Sequence, residues 1–257
     1  MTALRTPDRS EIAYFFDLDG TLVDIVDSPA QVRPGHEIRL LIETLDRSVG
    51  GALALITGRS IADIDHLFPD SHLCVAGQHG VERRDASGAM SQHGHRPPHL
   101  DLVRDRLATA VGRHPGLILE DKGLSLALHY RRAPQFVAAA HRLMHWACST
   151  MGQEYCLQVG KSVVELKPAG KDKGAAVADF MAEAPFAGRT PIFVGDDVTD
   201  EYGFDVVNRL GGYSVKVGAG PTTARWRLPN ARAVIEWLSH GQPAPHHVIH
   251  TAGAAVH

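Results

Sequence analysis

The stretch that most constrains this chain is Ala13 to Asp24, Ala-Tyr-Phe-Phe-Asp-Leu-Asp-Gly-Thr-Leu-Val-Asp. An unbroken apolar run leads straight into two carboxylates, Asp17 and Asp19, and Gly20-Thr21 then turns the chain. A short run without alternation suits a parallel strand buried on both faces, which calls for helices on either side of the sheet. Open sheets of that kind place their chemistry beyond the carboxyl ends of the strands. Two acids aimed at one spot repel, and a cation normally compensates them. Hard oxygen ligands favour Mg²⁺.

The same grammar returns twice. Ala52 to Ile56 is a second buried strand ending in Thr57-Gly58-Arg59-Ser60, where Thr57 can donate a hydroxyl to a phosphate oxygen. A helix starting at Ser60 or Ile61 adds N–H groups that favour an anion, with Ser60 as its cap. Arg59 can touch that phosphate or pair with a core acid. Thr190 to Val194 is a third such strand and ends in Gly195-Asp196-Asp197-Val198-Thr199-Asp200. Lys173 stands just ahead of a helix expected over Ala175 to Ala184, and Tyr213 to Val217 reads as the last strand. If these strands are parallel neighbours, Asp17, Asp19, Thr57, Lys173, Asp196 and Asp200 gather at one sheet edge.

Between the halves the rhythm changes. Arg96-Pro97-Pro98 reads as a hinge into an inserted domain. From His99 onward the order is helix, two strands, helix, two strands, with Gly160-Lys161 as a two-residue hairpin turn. Such a layer has helices on one face and leaves a sheet face to cover something. The expected organisation is therefore a doubly wound α/β core from residues 1–95 and 171–240 and an α+β cap over 96–170. Residues 241–257 are expected to be a disordered His-rich tail.

The chain resembles the haloacid-dehalogenase-like phosphatases, through Asp17-Leu18-Asp19-Gly20-Thr21, Thr57, Lys173 and Gly195-Asp196-Asp197. Within them it is similar to the trehalose-6-phosphate phosphatase family. That closer likeness rests on Thr57-Gly58-Arg59-Ser60, Gly77 with His79-Gly80, Glu120 with Lys122, Leu126 to Arg131, Gly160-Lys161, Glu165 to Pro168, Lys173-Gly174 and Gly195 to Glu201. The resemblance implies a Rossmann-like core, Asp17 as nucleophile and Asp19 as general acid/base. It implies Mg²⁺ held by Asp17, the backbone carbonyl of Asp19, and Asp196, with Asp200 in support. Thr57 and Lys173 would hold the phosphate. His79 and Gly80 would bind substrate, and Glu120, Lys122 and Glu165 would contact the glucose that lacks the phosphate. Lys161 and Lys167 are explained almost as well by a solvated hairpin and a solvated strand end.

Composition excludes several classes. A formal charge of −3 leaves no electrostatic footprint for nucleic acid, and no apolar run is long enough for a membrane span. Met1 to Glu11 has no apolar h-region of a secretory signal. Three widely spaced cysteines suit free thiols in a cytoplasmic protein. The expectation is a cytoplasmic monomer acting on a small-molecule sugar phosphate, trehalose 6-phosphate. The nearest alternatives are another ester, such as sucrose 6-phosphate or a mannosyl phosphoglycerate, and a non-hydrolytic phospho-receiver module. Asp19, an acid/base that a slow receiver does not need, speaks against the last.

Overall fold

The computed structural model describes residues 8–25, 32–69 and 71–240. The expected tail, 241–257, lies outside them. Contacts divide the described residues into two units, one before Ser91 and from Asp172 onward, the other over 91–171.

The first unit is built on β1 (Ile12–Phe16), whose five residues are all buried. Helix α1 (His36–Ser48) leads to β2 (Leu53–Ile56), and α2 (Ile61–Leu67) to β3 (Cys74–Gly77). A short hairpin, β4 (Glu82–Arg84) and β5 (Met90–Gln92), extends that side of the sheet. Its turn is held by the Asp85 carboxylate, which accepts from the amides of Ser87 and Ala89.

The second unit opens with α3 (His99–Val111), followed by β6 (Ile118–Asp121), β7 (Leu126–His129), α4 (Val137–Met151), β8 (Tyr155–Gly160) and β9 (Val163–Pro168). The first unit then resumes with α5 (Lys173–Met181), β10 (Thr190–Gly195), α6 (Glu201–Arg209), β11 (Tyr213–Val217), β12 (Trp226–Leu228) and α7 (Ala231–Ser239).

The large sheet runs β12-β11-β10-β1-β2-β3-β4-β5, parallel from β12 through β3 and antiparallel from β3 to β4. From β1 the chain steps outward through β2 to β3, and from β10 it steps the opposite way. The order therefore reverses between β1 and β10. Right-handed crossovers on the two sides of that point send their helices to opposite faces. Accordingly α1 packs with α7, and α5 with α6. Alternation along β1 supplies both faces: Phe15 meets Phe180 and Phe186 at ring-centroid distances of 6.2 and 5.5 Å, while Tyr14 and Phe16 stack on each other.

The second unit is the antiparallel sheet β6-β7-β9-β8 with α3 and α4 packed on it. Leu126, Leu128, Val164 and Leu166 share a core with Leu100, Val103 and Met144. The opposite row, in register, is Glu120, Ala127, Glu165 and Gln158.

Four expectations are corrected. The hairpin turn is Lys161-Ser162, because Gly160 pairs with Val163 inside the ladder and Ser162 takes the left-handed conformation at φ +68°. Helix α5 begins at Lys173, since the Asp172 side chain caps it by accepting from the Ala175 amide at 2.8 Å. The last strand is β12, three residues long and too short to show a period. The Arg96-Pro97-Pro98 stretch lies within the second unit, because His93 bonds the Ala169 carbonyl and Arg96 bonds Gly123 and Asp101.

Phe15 is fully buried and packs on two rings from one helix and the turn after it. Phe15→Ala is expected to lower unfolding free energy by about 3–5 kcal/mol. A denaturant titration showing a loss under about 1 kcal/mol would contradict this account of the core.

Candidate active site

Strands β10, β1 and β2 are adjacent and parallel, so the segments that leave them meet at one edge. Asp17 follows β1 directly, and its amide donates to the Val194 carbonyl at 2.9 Å. Lys173, on the first turn of α5, reaches the same place. Its Nζ donates to Asp17 Oδ1 and to Asp200 Oδ1, each at 2.7 Å. All three side chains are almost wholly buried. Carboxylate oxygens of Asp17, Asp196 and Asp200 lie within 4.8 Å of one another.

Two glycines make this closeness possible. A Cβ on Gly20 would stand 2.3 Å from an Asp196 carboxylate oxygen, and one on Gly195 would stand 2.3 Å from the Asp200 carboxyl carbon. Gly20 also has φ +91°, a conformation open to glycine at little cost. Asp200 is fixed further through Oδ2, which accepts from the Asp197 amide at 2.9 Å.

The electrostatics follow from burial and sign. Burial pushes the Asp17 carboxyl well above its ordinary range; Lys173 opposes that shift, and Asp200 and Asp196 add to it. Burial alone would lower the Lys173 ammonium, but Asp17 and Asp200 outweigh it and hold the pKa above its usual value. Three carboxylates against one ammonium leave negative charge in a dry place. Three hard oxygen donors at this spacing fit a divalent cation such as Mg²⁺.

Asp19 is placed differently. Its carboxylate accepts from Arg59 Nε at 2.6 Å and Nη2 at 2.7 Å, a bidentate pair in which Arg59 is nearly buried. Of the two options for Arg59, the acid is the one realised. The Asp19 side chain is outside the carboxylate trio. Thr57 is buried at the end of β2, where its Oγ1 accepts from the Arg59 amide at 3.1 Å.

At the start of α2, where an anion site was expected, three amides already have partners: that of Ser60 in Asp63 Oδ2, that of Ile61 in Glu82 Oε1 and that of Asp63 in Ser60 Oγ. Glu82, 21 positions further on, supplies the decisive carboxylate, and nothing in the local sequence announces it.

His79 and Gly80 follow β3 in a single 3₁₀ turn, with His79 at φ +58° and Gln78 at φ +47°. The His79 amide donates to the Thr57 carbonyl at 2.9 Å, and its ring lies against Gly58, where a Cβ would stand 2.9 Å from Nε2. Two consecutive left-handed residues that are not glycine are costly, and they bind this turn to the Thr57 loop.

In the second unit, Lys122 Nζ meets Glu165 Oε2 at 3.1 Å, both side chains nearly buried. Glu120 accepts from or shares a proton with His129 Nε2 at 2.7 Å. Its pKa lies below the ordinary value: burial raises it, and the His129 hydrogen bond and Lys122 charge overcome that rise. Lys167, also buried, donates to the Lys171 carbonyl, so it is no solvated strand end.

A family model described as trehalose-phosphatase matches residues 15–231. The trehalose-6-phosphate phosphatase of Escherichia coli strain K12 is 48% identical over 237 residues, covering 91% of this chain and 88% of that protein. The chain belongs to the trehalose-phosphatase family. The trehalose-phosphate phosphatase of Mycobacterium tuberculosis H37Rv is 34% identical over 215 residues, which cover 77% of this chain and 52% of that longer protein. Among solved structures, the C-terminal domain of the Candida albicans trehalose-6-phosphate phosphatase superposes with a TM-score of 0.80. Its sequence identity is 23%, with 90% of this chain and 91% of that one covered, and the likeness is one of fold. The trehalose-phosphatase match spans the carboxylate trio and the whole of the second unit.

Sequence reading passed over Glu82 and Lys216. Lys216 is buried on β11 and donates to the Asp196 carbonyl. A lysine in a strand carries no local sign of where its ammonium goes.

Removing the central cation should expose the like-charge problem. Lys173→Met is expected to cost about 3–5 kcal/mol of unfolding free energy at neutral pH, because it leaves Asp17 and Asp200 buried without their partner. The Asp17 carboxyl pKa is then raised further in the folded state, so the unfolded chain loses that proton first and stability falls as pH rises between the two values. The deficit should therefore shrink on acidification through the carboxylate range. Chemical denaturation across that range, in chelator, checks both the size and the sign.

Proposed function

We propose that this protein is a Mg²⁺-dependent phosphatase that hydrolyses trehalose 6-phosphate to trehalose and phosphate, as a cytoplasmic monomer in trehalose biosynthesis. The observation that carries the chemistry is Asp17, buried at the sheet's reversal point, bonded to Lys173 and grouped with Asp196 and Asp200. The names of its relatives point to the substrate. Three free cysteines suit a reducing compartment, and among the described residues no helix is long and apolar enough to cross a membrane.

Asp17, Asp196 and the Asp19 backbone carbonyl would hold Mg²⁺, with Asp200 in support. When bound, the ion would neutralise charge on the oxygens of the transferring phosphoryl group. Asp17 attacks phosphorus, forming an acyl phosphate as the bond to the sugar oxygen breaks. Asp19 gives the departing alkoxide its proton. Asp19 then takes a proton from water, which attacks phosphorus and frees phosphate and the Asp17 carboxylate. Lys173 and Thr57 position the phosphoryl oxygens, and the ammonium offsets their charge. Arg59, through its two bonds to Asp19, fixes the orientation of the acid/base.

Recognition of the sugar falls to residues 91–171, as a cap, with His79 and Gly80 contributing from the core. Glu120, Lys122 and Glu165 present two carboxylates and an ammonium held by short polar contacts. Groups fixed in this way discriminate among hydroxyl arrangements, because a mismatched sugar leaves a buried charge unpaired.

Phosphate release from a panel of sugar phosphates tests the substrate assignment. Trehalose 6-phosphate should exceed sucrose 6-phosphate and simple hexose phosphates at least tenfold in kcat/KM, and a panel led by another ester would overturn it. Asp17→Asn should lower phosphate release by about a thousandfold or more, since the nucleophile is lost. Asp19→Asn should slow turnover and let a phosphorylated enzyme accumulate, visible as acid-labile phosphate on the protein. Unimpaired turnover in Asp19→Asn would remove the acid/base role.

A further inference from the structure

We infer that Lys216 is a positioning residue for the divalent-cation site, acting through the backbone of Asp196. The inference rests on the cation site proposed above.

Strand register places Lys216 beside the acidic turn. Lys216 pairs with Gly195 across β11 and β10, one residue before Asp196. Along β11, Ser214 and Lys216 share a face, and that face is turned to α6, since Ser214 Oγ donates to Asn208 Oδ1 at 2.6 Å. Lys216 is only 5% exposed, so its ammonium has little water to bond. Nζ donates to the carbonyl oxygen of Asp196. A charge-assisted bond to a backbone carbonyl, made from a buried group on a central strand, fixes the orientation of that peptide.

Orientation matters at this residue above its neighbours. Strand β10 stops at Gly195, so the ladder no longer holds Asp196. Its carboxylate must nonetheless sit against Gly20 and within 4.8 Å of the oxygens of Asp17 and Asp200. On the far side, Asp197 and Asp200 are tied to each other. The Asp196 peptide is thus the joint between a rigid strand and a rigid turn, and Lys216 bonds that joint. Rotation of the peptide would swing the carboxylate out of the trio.

Two effects of removing Lys216 have opposite signs, which makes the inference testable. As a mere positive charge at the Asp196 peptide, Lys216 opposes cation binding, and its loss would tighten the affinity. As a positioning group it assembles the donor set, and its loss weakens the affinity. Positioning is the effect inferred here to win.

The experiment is calorimetric titration of Mg²⁺ into the full chain and into Lys216→Met and Lys216→Arg, without substrate, with the thermal midpoint in chelator recorded for each. Lys216→Met should weaken Mg²⁺ binding at least tenfold, and Lys216→Arg, which keeps a donor, should stay within about threefold of the native chain. Should Lys216→Met not fold, Lys216→Gln carries the same test, its neutral amide falling short of the carbonyl. Unchanged or tighter Mg²⁺ binding in the folded neutral variant would overturn the role of Lys216 and leave the cation site standing. Absence of Mg²⁺ binding by the native chain would overturn the cation site itself, and the inference with it.

Discussion

A single buried ammonium, Lys173 Nζ, holds the carboxylate-bearing edge of the large sheet together. It bonds carboxylates that reach it from two strands, Asp17 after β1 and Asp200 after β10. Burial penalises each of these charges alone, and only their mutual closeness makes the arrangement tolerable. The closeness requires that β1 and β10 be neighbours, that α5 begin where its first turn faces them, and that Gly20 and Gly195 leave room. The rest of the first unit can be read as the scaffold that meets those conditions.

The scaffold is stiff for identifiable reasons. Every residue of β1 and β2 is buried, and Phe15 of β1 locks against Phe180 of α5 on one face. Thus the acids stand on strand ends rather than on loops of free length. The proposed chemistry would use that rigidity, because an in-line attack on phosphorus by Asp17 would depend on its placement far more than on its intrinsic reactivity. Carboxylates left over after Lys173 is counted supply the remaining requirement, a place for a hard cation.

The second unit uses the same physics to a different end. Its helices and one sheet face form a dry core, and the other face carries paired charges, Lys122 with Glu165 and His129 with Glu120. Alternation along β6 and β9 separates the two functions by one residue. An arrangement of this kind orders polar groups for a polar ligand, which suits the sugar-reading role proposed for it.

Much of this was legible in the chain itself. Strand-then-polar grammar at Asp17, Thr57 and Asp196 required nothing beyond local pattern, since a buried parallel strand and the turn after it are both short-range features. So did the helix–strand–strand rhythm of the insertion. What local pattern could not reveal was pairing across long separations. The tertiary structure alone decided that Arg59 would clasp Asp19, that Glu82 would take the amide of Ile61 at the α2 terminus, and that Lys216 would reach Asp196. Each of those contacts joins residues 20 to 40 positions apart through a charged side chain. A long flexible side chain leaves no periodic trace of its destination, whereas an apolar strand must declare itself by what it buries.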